Sequence, residues 1–125
     1  MIKKILTAFL MLMLVGALSS MPAQAAQDWM QSYHHIEMML GKAEEAYAAG
    51  DKEGAKKIVN DSYYGVYETD GLEKAIRTTI SSKNANLTEY QYSKLKKAIR
   101  DDAGIATVKA EKDQLLSMMK TDIST

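Results

Sequence analysis

The sequence predicts an all-α fold, a four- to five-helix up-down bundle that follows a cleaved signal peptide. Three observations carry this. Apolar residues recur at helical spacing from Trp29 to Met119, and no period-2 alternation bounded by turn signals interrupts them. The connections between periodic stretches are short, which favours antiparallel neighbours. The sole proline, Pro22, lies ahead of every one of these stretches.

The N-terminus reads as an export signal. Lys3 and Lys4 form a short basic region, and Ile5 to Leu18 is an apolar run of about 14 residues, short for a membrane span. Ala23-Gln24-Ala25 has the small-x-small cleavage pattern. Residues 1–25 are therefore expected to be removed, leaving 26–125 as a single helical-bundle domain near the commonest domain size. That places the mature chain in a bacterial periplasm or outside the cell, with no membrane span of its own. The chain has no cysteine, so neither a disulfide nor a thiolate metal site is available. Two of the 16 basic residues lie in the signal and all 16 acidic residues lie beyond it, so the mature chain is slightly acidic. Nucleic acid is excluded as the main partner on that ground.

The first helix is expected over 28–49. Asp28 is its N-cap, and Trp29, Tyr33, Ile36, Leu40, Ala43 and Tyr47 form one continuous stripe. Gly50 ends it and Asp51 caps a second helix over about 52–67. The inner face of that helix is Ala55, Ile58, Val59, Ser62, Tyr63 and Val66. Thr69-Asp70-Gly71 breaks it. Asp70 with Glu73 reads as a capping box for a short third helix lined by Leu72, Ala75, Ile76 and Ile80. Residues 81–85 read as a loop, and Asn86 with Glu89 as the capping box of a fourth helix to about Asp102, with Tyr92, Leu95 and Ile99 inside. A fifth spans about 105–120 through Val108, Leu115, Leu116 and Met119. Gly104 marks either a joint or a kink between the last two.

Few residues carry recognisable chemistry. His34 and Glu37, at i and i+3, reach one helix face and can supply two metal ligands; equally, they are two polar residues beside the apolar stripe. Glu73 and Glu89 have structural work as capping-box residues. Glu68 has none: it sits at a helix C-terminus, where the dipole disfavours a carboxylate. Three neighbouring carboxylates call for a cation, either a hard oxygen-ligated ion or the side chain of Lys74 or Arg77. The seven tyrosines all lie in the mature chain. Tyr63, Tyr64, Tyr67 and Tyr92 read as an amphipathic bundle edge, or as phenols supporting or ligating a ferric ion or facing a partner. No haem-attachment, nucleotide-binding, serine-hydrolase or zinc-protease motif is present, and no nucleophile–base pair is visible, so the chain reads as non-enzymatic.

The central stretch resembles the extracytoplasmic helical domain of bacterial Ftr-type iron permeases. The residues that carry the likeness are Ala49-Gly50-Asp51 with Ala55, Tyr63-Tyr64, Tyr67-Glu68, Gly71-Leu72-Glu73, and Glu89 to Tyr92, within about residues 43 to 100. Tyrosine stands at 64, 67 and 92, where that family often has phenylalanine, and the permease's membrane helices with their Arg-Glu-x-x-Glu motifs are missing. The resemblance implies a free-standing soluble domain that binds or presents iron through Glu68, Glu73 and Glu89, or associates with an iron permease or another membrane protein. His34 and Glu37 lie outside the matched part.

Overall fold

A computed structural model describes residues 29–125; the expected signal segment and the Asp28 cap lie outside the described residues. The described residues form five α-helices and no strand, an all-α bundle. They are α1 (29–48), α2 (Lys52–Ser62), α3 (Leu72–Thr79), α4 (Ser82–Arg100) and α5 (Ile105–Ser124). One further segment, Tyr63–Glu68, continues α2 as a wider π-helical turn.

The α1 stripe is buried as the spacing predicts: Tyr33, Ile36, Leu40, Ala43 and Tyr47 all enter the core, with Trp29 packed partly against it. Gly50 takes a positive φ of 89°, open to glycine at no steric cost, and turns the chain out of α1. Asp51 then caps α2 by accepting the Gly54 amide at 2.9 Å.

Helix α4 is the hub, packing against α2, α3 and α5. Its buried side carries Ala85, Thr88, Gln91, Tyr92, Leu95, Ala98 and Ile99. It runs antiparallel to α2, since Lys96 bonds Asn60 while Tyr92 bonds Ser62. It runs antiparallel to α5 too: Asn84 donates to Asp122 at 2.8 Å and Gln91 donates to the Glu111 carbonyl at 2.9 Å. Helices α4 and α5 are separate, joined by a turn in which Asp102 (φ 55°) and Gly104 (φ 104°) both take positive φ.

Three expectations need correction. Asp70 does not cap α3. Gly71 holds the N-cap position at φ 89°, and the Asp70 carboxylate instead accepts the Ser32 hydroxyl of α1 at 2.6 Å. Residues 82–85 are helical, not a loop: Ser81 caps α4 by accepting the Asn84 amide at 3.0 Å. Asn86 and Glu89 therefore lie inside α4 and form no capping box. In each case the expected cap residues make their side-chain bonds to another helix, Asp70 to α1 and Asn86 and Glu89 to α3. The third correction concerns α2. Its last turn widens, so Val66 and Tyr67 both turn inward while Tyr64 and Gly65 stay exposed. The Thr69 hydroxyl takes up the Tyr64 carbonyl, which the widened turn leaves over, at 2.5 Å.

Tyr47 ties α1 to the α4–α5 turn. Its hydroxyl donates to Asp102 at 2.6 Å and accepts the Gly104 amide at 2.9 Å. Tyr47→Phe removes both bonds and leaves the ring in place. Chemical denaturation is expected to show a loss of about 1–2 kcal/mol, with the helical circular-dichroism signal unchanged.

Candidate functional site

The widened turn delivers three aromatic rings to one place. Tyr63 stands edge-on to Tyr92 (centroids 5.0 Å, 75°) and to Tyr64 (4.9 Å, 89°), and Tyr67 lies 5.7 Å from both Tyr63 and Tyr92. Edge-to-face rings at this spacing attract beyond the area they bury. Tyr67 and Tyr92 are core residues, Tyr63 is half-buried and Tyr64 is exposed. Beneath the rings, the buried Ser62 and Tyr92 hydroxyls share a 2.8 Å hydrogen bond. The Tyr67 and Thr88 hydroxyls, equally buried, lie close to one another but make no well-formed hydrogen bond among the described residues. Such a group costs stability, typically about 1–3 kcal/mol.

Above the rings sits an ion-pair clamp. Arg77 of α3 contacts the Glu73 carboxylate one turn earlier, through Nε at 2.7 Å and Nη2 at 2.6 Å. The same Nη2 reaches Glu89 of α4 at 3.3 Å, and Nη1 donates to Asn86 at 3.2 Å. Asn86 and Glu89, one turn apart on α4, thus serve α3 and not their own helix start. The hydrogen bond to Glu73 holds the Arg77 guanidinium pKa above its ordinary value. Glu68 stands apart from the clamp: it is exposed at the end of the widened turn and pairs with no cation among the described residues.

The three carboxylates nonetheless act on one phenol. Burial, then the charges of Glu89, Glu68 and Glu73, push the Tyr63 pKa up. Burial does the same to Tyr67, with Glu73 and Glu89 adding to it, and burial dominates at Tyr92. All three phenols therefore stay protonated at neutral pH. A phenolate ligand here would have to lose its proton against burial and neighbouring negative charge, unless an incoming cation compensates.

The other sequence-predicted pair lies elsewhere. His34 Nδ1 and Glu37 Oε1 are 3.4 Å apart on the solvent side of α1, both more than half exposed. They contact each other, and among the described residues neither bonds a member of the clamp. Among the described residues, no three His, Cys, Asp or Glu side chains converge closely enough to hold a metal ion as they stand. Carboxylates suit a hard cation, but Arg77 occupies the space between Glu73 and Glu89.

Sequence reasoning named the carboxylates and the tyrosines but missed two things. One is the geometry of the cation: Lys74 or Arg77 is expected as an alternative to an ion, and the structure pairs Arg77 with Glu73 and Glu89 but leaves Glu68 out and adds Asn86. The other is the lining of a groove between α2 and α4 by Asn60 and Lys96, far apart in sequence. No described helix is long and apolar enough to cross a membrane. The chain matches no protein-family model, no curated protein and no solved structure. The fold itself defines the class, an all-α bundle with a tyrosine-and-carboxylate face.

The raised phenol values have a pH consequence. The unfolded chain titrates its tyrosines near the ordinary value of about 10. The folded chain binds those protons more tightly, so their contribution is fully present below about pH 10 and is lost as the pH rises towards the folded values. Stability measured by urea denaturation is expected to fall above about pH 10, in step with phenolate absorbance. Tyr63→Phe is expected to flatten that fall.

Proposed function

We propose that this chain is a non-catalytic, extracytoplasmic helical protein of iron uptake, which binds or presents a hard cation at its carboxylate-and-tyrosine face. The observation that carries the reading is the meeting of Glu73 of α3 and Glu89 of α4 on one guanidinium, Arg77, next to the tyrosine cluster, with the exposed Glu68 near enough for its charge to act on Tyr63. The N-terminal export pattern and the motif resemblance around Gly50 and Gly71 support the setting. The face holds three carboxylates against one guanidinium, so it keeps net negative charge. Arg77 is about one-third exposed, so its guanidinium has a path into water when a cation displaces it. A hard cation arriving between Glu73 and Glu89 replaces the charge that Arg77 supplies, with Glu68 closing on it from the end of the widened turn.

A second reading is favoured by the clamp itself. With Arg77 already neutralising Glu73 and Glu89, the face has less need of an ion. The chain is then a module that docks a membrane partner, an iron permease or another, through Tyr64 and its neighbours without metal. Tyr64 and Tyr90 are more than half exposed.

Calorimetric titration of the exported protein with ferrous iron under anaerobic conditions separates the two, with manganese and zinc as competitors. The cation reading expects saturable binding that Glu68→Ala weakens at least about tenfold and that Arg77→Gln strengthens, because the internal competitor is gone. Absence of heat from a folded sample, or identical binding by Glu68→Ala, defeats it. Co-purification with a membrane protein that withstands chelator would favour docking.

A further inference from the structure

The groove between α2 and α4 joins two unlike halves. On one side a cavity of about 220 Å³ is walled by Tyr63, Tyr64 and Tyr92, with Glu89 at one end and Asn60 and Lys96 at the other. Asn60 and Lys96 also border a second cavity of about 450 Å³, ringed by four cations and two carboxylates.

Lys96 is the unfinished part of this surface. Its companions are neutralised: Lys56 by Glu53 at 3.0 Å, Lys57 by Asp61 at 2.8 Å and Arg100 by Asp101 at 3.2 Å. Among the described residues Lys96 has no carboxylate within ion-pair distance. Lys96 is half-buried as a residue, and its ammonium donates only to the neutral Asn60 amide oxygen at 2.9 Å. Two of its three N–H groups remain for a ligand, and an ammonium drawn partly out of water gains from an anion. One spare positive charge suits a carboxylate better than a phosphate dianion.

The walls select the rest of the ligand. Tyr63 already packs in T-shaped pairs with Tyr64 and Tyr92, so an aromatic ring entering the cavity meets aromatic faces and edges at close range. Glu89 and Lys96 stand seven residues apart on α4, two turns, which is about 10.5 Å along one face. A benzene ring carrying polar groups at its two para positions, with a hydrogen bond at each end, spans about that length. Glu89 meets Arg77 through Oε1 and lies within reach of the Tyr63 hydroxyl, and a carboxylate has lone pairs enough to accept a further donor.

We propose that this groove is a binding site for a small para-hydroxylated aromatic carboxylate. The carboxylate sits on Lys96, the ring lies against Tyr63, Tyr64 and Tyr92, and the hydroxyl donates to Glu89. The site requires neither a metal nor a protein partner, so it stands independently of the readings above.

The test is a nuclear magnetic resonance titration of the exported protein with 4-hydroxybenzoate in the presence of chelator. Saturable shifts are expected at Lys96 and the three tyrosines. Benzoate should bind more weakly, and neutral 4-hydroxybenzyl alcohol more weakly still. Lys96→Met should raise the Kd at least about tenfold, the loss for one charge-assisted hydrogen bond. Tyr64→Ala, at a position 61% exposed where truncation leaves the buried core intact, should also weaken binding, and it decides the matter if Lys96→Met does not fold. The proposal is overturned by an absence of saturable shifts, by an equal response to acetate, or by wild-type affinity in the folded variants.

Discussion

The structure depends on the buried face of α4. Tyr92, Leu95 and Ile99 reach the core while Thr88 and Gln91 reach inward with polar groups, so one helix serves α2, α3 and α5 at once. Gln91 fixes the register against α5 through the Glu111 carbonyl, and Tyr92 fixes it against α2 through Ser62. A buried hydrogen bond tolerates little sliding, because a slip would leave both partners unsatisfied in a dry interior. The apolar stripe provides the drive for burial, and these polar contacts select which of several similar packings is adopted.

The same register places the site. Tyr92 stands in the core at the level of the widened turn, so Tyr63 and Tyr67 close over it. Glu89, one turn earlier on α4, then faces Arg77 of α3. Charge and burial are coupled here. Burial raises the Tyr63 and Tyr67 pKa values, and the charges of the neighbouring carboxylates add to the shift. The face therefore carries protonated phenols, a shared guanidinium and one unshared carboxylate, Glu68. That mixture suits recognition, and its chemistry changes if the guanidinium is displaced.

The widened turn at Tyr63–Glu68 links the fold to this face. A regular α-helical continuation would send Tyr67 round to the flank of α2. The extra residue in the turn brings Val66 and Tyr67 inward together and leaves Tyr64 outside. Two buried hydroxyls that make no well-formed hydrogen bond among the described residues, Tyr67 and Thr88, lie in the same region. The bundle is thus least regular and least satisfied where its unusual side chains collect.

Helices, and most of their inward faces, were legible in the sequence because a 3.6-residue period is a local property. The α1 stripe from Tyr33 to Tyr47, the Gly50 turn, the Asp51 cap and the inner residues of α4 and α5 all follow from spacing and cap chemistry. The carboxylates and tyrosines of the face could also be named in advance. Their partners could not. Asp70 and Glu73 look like a cap, as do Asn86 and Glu89, yet Asp70 bonds Ser32 on another helix while Glu73, Asn86 and Glu89 all turn to Arg77. Sequence alone determined which segments become helices and which side of each is apolar, since those depend on residues three and four apart. Only the tertiary structure decided which polar group meets which, because a short polar side chain bonds equally well to its own backbone or to a neighbouring helix, and packing settles which of the two comes within reach.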